Sequence, residues 1–233
     1  MTAFDNPLAV ALDDADLDAD RRVADAVVDV AGFLKVGSTS FAAGGRPFVE
    51  ELCARRPVFL DLKLHDIPAQ VAGAVRAAAD MGASLITVHS SGGADMVAAA
   101  VEAAGGDPLV LGVTVLTSLD QRALESVGVD GSVEDQVLRL AELALGAGAR
   151  GLVCSPLEVT SLRERFGAQR DDGPLLVVPG IRPDGVHADD QRRTKSPRVA
   201  LDAGADVIVV GRAITGAADP AAAARSILGS LGT

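Results

Sequence analysis

Asp61, Lys63 and Asp66 stand close together in the string Asp61-Leu62-Lys63-Leu64-His65-Asp66-Ile67-Pro68, directly after the apolar run Val58-Phe59-Leu60. On a strand, successive side chains alternate between faces, so Asp61 and Lys63 share one face and Leu60, Leu62 and Leu64 the other. Charges at such a place cost desolvation energy unless they pair or serve chemistry. The spacing admits two readings: a structural ion pair at a strand end, or a lysine held among carboxylates as a proton donor. Lys35, at the end of the apolar pair Phe33-Leu34, adds a second ammonium. Of the 21 basic side chains only Lys35, Lys63 and Lys195 are lysines. Arginine does not readily release a proton and lysine does, so two lysines at strand ends favour proton transfer over mere charge.

The elements that must position these residues are legible as a repeat. Short apolar runs at 8–12, 33–36, 58–62, 85–89, 109–115, 151–154, 175–178 and 207–210 predict strands. Helical segments are expected at 16–30, 46–55, 69–81, 94–103, 133–145, 157–166, 197–203 and 220–228. Strand and helix alternating eight times predict an α/β chain folded as one (β/α)8 TIM barrel spanning residues 1–233. A doubly wound open sheet is the rival, but no Gly-x-Gly-x-x-Gly follows the first strand.

Composition narrows the partners. The 233 residues are 48% hydrophobic and 23% charged, enough for a large core, and the formal charge is -11. That charge argues against a nucleic-acid partner and against an anionic membrane surface. No stretch approaches the roughly 20 apolar residues of a membrane span, and the N-terminus lacks a basic segment followed by an apolar run. Cys53 and Cys154 have neither metal-ligand nor CxxC spacing and are expected to fill apolar space in a reducing, cytoplasmic setting. Trp and Tyr are absent, so Val, Leu, Ile and Ala must build the core, as parallel strands covered by helices require.

In such a barrel the chemistry lies at the C-terminal ends of the strands. There the sequence places Asp13, Lys35, Asp61, Lys63 and the pair Thr117-Ser118. Each has a plain alternative: Asp13 as a cap for the first helix, Lys35 as a snorkelling side chain. After strands 7 and 8 come Pro179-Gly180-Ile181-Arg182 and Gly211-Arg212, in the barrel's usual phosphate position. Glycine lets an anion approach the backbone and arginine supplies paired donors, although both glycines also suit turns and Arg182 has Asp184 nearby. Gln191 falls in a polar loop suited to folding over a ligand. His65 alternates away from Asp61 and Lys63 and is read as packing or hydrogen bonding, with His89 as support behind the site.

Together these strings resemble the orotidine 5'-phosphate decarboxylase family, in its bacterial form. The resemblance rests on Asp61-x-Lys63-x-x-Asp66-Ile67-Pro68, preceded by Val10-Ala11-Leu12-Asp13 and Lys35-Val36-Gly37. It continues through Thr87-Val88-His89, Leu116-Thr117-Ser118, Val178-Pro179-Gly180-Ile181-Arg182, Asp189-Asp190-Gln191 and Val210-Gly211-Arg212, in the family's order. It spans nearly the whole chain, departing mildly at Gly37-Ser38-Thr39-Ser40 and in the loop 118–132.

The resemblance implies a cytoplasmic, homodimeric enzyme of pyrimidine nucleotide synthesis that uses neither metal nor cofactor. By it, Lys35, Asp61, Lys63 and Asp66 form a charged tetrad whose last member reaches into the neighbouring subunit's site. Lys63 delivers the proton, Asp61 sits against the substrate carboxylate, and Lys35 bonds the ribose and Asp61. Asp13 and Asp66 hold ribose hydroxyls, Ile67 lines the neighbour's pocket and Thr117 contacts the pyrimidine. Arg182, Gln191 and Arg212 hold the phosphate, with the backbone of Gly211. Two alternatives stand beside this. One is a magnesium-dependent sugar-phosphate decarboxylase or aldolase of the same superfamily, disfavoured because strand 2 ends in Lys35 where that class looks to carry a metal-binding carboxylate. The other is a non-catalytic barrel that binds a phosphorylated ligand.

Overall fold

The computed structural model of the chain describes residues 6–169, 172–182 and 193–231. Eight parallel strands close on themselves in sequence order: β1 (Leu8–Leu12), β2 (Phe33–Gly37), β3 (Val58–Leu64), β4 (Leu85–His89), β5 (Leu109–Val113), β6 (Gly151–Val153), β7 (Leu175–Val178) and β8 (Val207–Val210). The ring closes through β1 and β8, with Val10 opposite Val210. The (β/α)8 barrel expected from the alternating pattern is the fold observed.

Two-residue alternation divides the core into two layers. Ala9, Ala11, Phe33, Phe59, Leu85, Leu111, Val113, Val153, Val177, Val207 and Val209 fill the inside of the barrel. Their neighbours Leu8, Val10, Leu34, Val36, Leu60, Ile86, Val88 and Ile208 face outward into the helical shell. Such interdigitated aliphatic side chains contribute roughly 1.5–3 kcal/mol each when fully buried. The inward series then runs out of apolar residues. Two positions beyond Ala11, Phe33, Phe59, Leu85 and Val209 stand Asp13, Lys35, Asp61, Thr87 and Gly211.

The shell consists of α1 (Leu17–Val27), α2 (Ser38–Cys53), α3 (Pro68–Asp80), α4 (Ala94–Ala104), α5 (Gln121–Ser126), α6 (Val133–Gly146), α7 (Val159–Phe166), α8 (Pro197–Asp202), α9 (Arg212–Thr215) and α10 (Pro220–Gly229). Two of these lie outside the expected pattern, the short α5 and α9, and α2 starts eight residues earlier than its predicted start at 46. Gly45, at φ 57 and ψ -152, breaks α2 into two pieces, and the Gly44-Gly45-x-Pro47 punctuation hid the first. Asp16 caps α1 through the Asp18 amide, so Asp13 does not act as that cap. At the far end of the barrel, Arg163 ties the entries of β7 and β8. It donates to the carbonyls of Pro174 and Gly204 at 2.8 Å each, and pairs with Asp206.

Candidate active site

β1 and β2 lead to one charge each, Asp13 and Lys35, and β3 carries two, Asp61 and Lys63, all in a single cluster at the C-terminal mouth. Lys35 Nζ lies 2.8 Å from Asp13 Oδ1 and 3.6 Å from Asp61 Oδ2. Lys63 Nζ donates to both Asp61 oxygens at 2.8 Å. Lys35 is only 5% exposed, so it is a buried cation clamped by two carboxylates and does not snorkel to solvent. Gly37 makes room for this pairing: a Cβ there would stand 1.9 Å from Asp13 Oδ1 and 3.1 Å from Lys35 Nζ.

Lys63 does not reach Asp61 by plain strand alternation. Its backbone takes φ 50, in the left-handed region that costs a side-chain-bearing residue roughly 1–2 kcal/mol. The pairing of β3 with β4 shifts at the same place, running from Leu60 opposite Ile86 directly to Leu64 opposite Val88. Glycine would remove this strain but would also remove the ammonium. Thr87 sits opposite the bulge, fully buried, where its hydroxyl accepts from the Lys63 amide at 2.8 Å and donates to Asp61 Oδ1 at 3.0 Å.

Burial pushes the Asp61 carboxyl up. The Lys35 and Lys63 ammonium groups and the hydrogen bonds from Lys63 and Thr87 outweigh that, leaving it below its ordinary 3.8. It is therefore a carboxylate with only 12% of its side chain exposed that is held ionised. His89 moves the other way for a base: burial, then His65 and Lys63, lower it from 6.5 despite Asp61. The two imidazoles lie 5.4 Å apart between ring centres.

A cavity of 770 Å³ opens over this cluster. Asp13, Lys35, Asp61 and Lys63 line it together with Thr117, above a floor of Ala11, Val113, Val153 and Val209. Gly180, Arg182, Gly211 and Arg212 complete the wall and bring two guanidinium groups to an otherwise acidic molecule. Arg182 Nη1 donates to the Ile181 carbonyl, and its amide bonds the Lys195 carbonyl at 3.0 Å. Among the described residues, a Cβ placed on Gly211 would meet Ala11 Cβ at 3.6 Å, an ordinary contact, so a side chain there would narrow the cavity.

Asp66 and Ile67 are not brought into this cavity. Asp66 is exposed and accepts from the Ile67 amide at 2.6 Å, while Ile67 is 64% exposed. Gln191 lies outside the described residues. Among the described residues no group of three or more His, Cys, Asp or Glu is placed to hold a metal ion. No helix among them is long and apolar enough to cross a membrane.

Residue spacing gave no sign of a buried ion pair behind the cavity wall. Arg193 pairs with Glu158, and its Nη2 donates to the carbonyls of Val115 and Leu116 at 3.0 and 2.9 Å. Glu158 in turn accepts from the Ser155 amide at 2.8 Å. The pair thus fixes the chain next to Thr117. Its two members are 35 residues apart, and only tertiary structure joins them.

Comparison with known proteins identifies the family. The family model described as orotidine 5'-phosphate decarboxylase / HUMPS matches residues 6–227. A protein of Anaeromyxobacter sp. (strain K) named orotidine 5'-phosphate decarboxylase is 55% identical over 226 residues, covering 96% of this chain and 97% of that one. Its namesake from Thermobifida fusca is 49% identical over 227 residues, covering 97% and 95%. The crystal structure of orotidine 5'-phosphate decarboxylase from Lactobacillus acidophilus superposes with a TM-score of 0.84 at 34% identity, covering 98% of this chain and all of that one. With its barrel closed around a Lys35, Asp61 and Lys63 cluster, the chain belongs to the orotidine 5'-phosphate decarboxylase / HUMPS family.

Proposed function

We propose that this protein converts orotidine 5'-phosphate to uridine 5'-phosphate and carbon dioxide in pyrimidine biosynthesis, without metal or cofactor. The observation that carries the reading is Lys63 Nζ at 2.8 Å from an ionised, largely buried Asp61, inside a cavity that Arg182 and Arg212 also line. Breaking the ring-carbon to carboxylate bond leaves its electron pair on the pyrimidine carbon. With no electron sink in the pathway, fixed positive charge must stabilise that pair, and the Lys63 ammonium supplies it. Lys63 then gives its proton to the same carbon, and solvent reprotonates the amine.

The other residues orient the nucleotide around that event. Asp61 meets the substrate carboxylate, and Lys35 and Asp13 take ribose hydroxyls. Thr117 contacts the pyrimidine. Arg182, Arg212 and the Gly211 backbone grip the phosphate, with Gln191 joining them. Phosphate binding remote from the breaking bond holds the reacting group in place, so its loss lowers turnover as well as affinity. Asp66 and Ile67, exposed on this chain, serve the site of a second copy in a homodimer. A magnesium-dependent reaction fits less well, because an ammonium at Lys35, 2.8 Å from Asp13 and 3.6 Å from Asp61, occupies the place where carboxylates would share a cation.

Following the ultraviolet absorbance of orotidine 5'-phosphate after adding purified protein, with and without a strong chelator, tests the reading. Rapid loss that the chelator leaves unchanged is expected. No loss with folded, dimeric protein would refute it, and loss abolished by the chelator would replace it with the metal-dependent alternative.

A further inference from the structure

Thr87, on the inward face of the barrel, touches both the backbone of Lys63 and the carboxylate of Asp61. β3 spends two more residues than β4 between their shared registers, Leu60 with Ile86 and Leu64 with Val88, and Thr87 is the β4 residue facing that surplus. The register shift interrupts the regular β3–β4 pairing where Lys63 stands at φ 50. There the Thr87 hydroxyl holds the Lys63 backbone, accepting from its amide at 2.8 Å.

The polarity of this contact is forced. A backbone N–H only donates, so Thr87 Oγ1 must accept from it, and its own proton is left for Asp61 Oδ1 at 3.0 Å. An oxygen receiving that proton accepts most strongly as a carboxylate. One buried hydroxyl therefore touches two things together: the backbone from which the Lys63 ammonium is aimed, and the carboxylate that it faces, whose ionised form the hydroxyl supports after the two lysines. On the proposed reading of the site as a decarboxylase, we infer that Thr87 is a positioning residue for the proton-transfer step, acting through Lys63 and Asp61 without touching the substrate.

Thr87→Val keeps the methyl group and the shape but removes the hydroxyl, whereas Thr87→Ser keeps the hydroxyl and removes the methyl. With orotidine 5'-phosphate, Thr87→Val is expected to lower kcat by about 10- to 100-fold with KM changed far less, and to move the acid limb of the kcat–pH profile toward neutrality. Thr87→Ser is expected to stay within about threefold of the original, as one retained hydrogen bond predicts. A merely structural threonine would move the thermal midpoint and leave the pH profile alone. If Thr87→Val does not fold, Thr87→Ser against Thr87→Ala isolates the hydroxyl in the same way. Wild-type kcat and pH profile in the variant lacking the hydroxyl, or equal losses in the Ser and Ala variants, would overturn the inference.

Hydrogen exchange at the Lys63 amide separates this inference from the decarboxylase reading. Faster exchange in Thr87→Val is expected whatever the substrate. Unchanged exchange would overturn the positioning role even in an active enzyme. An inactive wild-type protein with faster exchange in the variant would instead refute the reading of the reaction.

Discussion

Lys35, Asp61 and Lys63 show how a buried carboxylate is kept charged at the mouth of a barrel. Desolvation raises the Asp61 carboxyl, but the Lys35 and Lys63 ammonium groups, and after them the hydrogen bonds from Lys63 and Thr87, outweigh it. The arrangement leaves little tolerance, and Gly37 is its most exposed dependency. Gly37→Ala would put a Cβ 1.9 Å from Asp13 Oδ1, so Asp13 must move away from Lys35. Overpacking of this kind costs about 1–3 kcal/mol, and a KM for the nucleotide raised at least about fivefold is expected by steady-state kinetics. His89 supplies a second prediction. Its basicity in the folded protein is lowered by burial, His65 and Lys63, so below 6.5 the unfolded chain takes up a proton that the folded chain resists. Stability therefore falls as pH drops through that window, and in His89→Gln the difference between urea midpoints at pH 7.5 and pH 5 should shrink. An undiminished difference would assign the acid sensitivity to other groups.

Among the elements, those with a continuous apolar period were legible in the sequence, and those shaped by a local exception were not. All eight strands followed from short apolar runs and the long helices from Ala-rich segments, apart from the first half of α2, and so did the appearance of Asp13, Lys35 and Asp61 at strand ends. The bulge in β3 was not legible, because a lysine at φ 50 leaves no compositional trace where a glycine would. The Asp61 and Lys63 contact was thus anticipated on the simple ground of alternation, whereas the structure makes it with a strained residue anchored by Thr87. The Glu158–Arg193 pair was hidden for a different reason: it bridges the ends of β5 and β6 and the start of the segment before α8, a contact that only closure of the barrel creates. Removing Arg193 alone strands a buried carboxylate. Arg193→Met is expected to cost about 3–5 kcal/mol in denaturant unfolding, and the double variant with Glu158→Leu appreciably less. Additive losses would mean that the pair does not act as a unit.

At the scale of the whole molecule, the exposed Asp66 and Ile67 leave each chain with a site that a second copy is proposed to complete. Two-fold pairing makes this testable by complementation. Lys63→Ala and Asp66→Ala homodimers are each expected to be nearly inactive. A mixed dimer places both lesions in one site and leaves the other intact, so unfolding and refolding an equal mixture should restore about a quarter of wild-type activity. No recovery in dimers shown to have mixed would place Asp66 in its own chain's site, and an active Asp66→Ala homodimer would place it outside catalysis. The acidic composition fits the proposed division of labour, in which anion binding is assigned to the cavity wall that carries Arg182 and Arg212. The most direct test of the account is turnover and binding in Lys63→Ala, measured as orotidine 5'-phosphate absorbance and as calorimetric binding of uridine 5'-phosphate. Binding within about tenfold of wild type, with turnover reduced at least about 10³-fold, is predicted for a group that acts on the developing carbanion. Turnover equal to that of the wild-type protein would contradict the assignment of Lys63 as the proton donor.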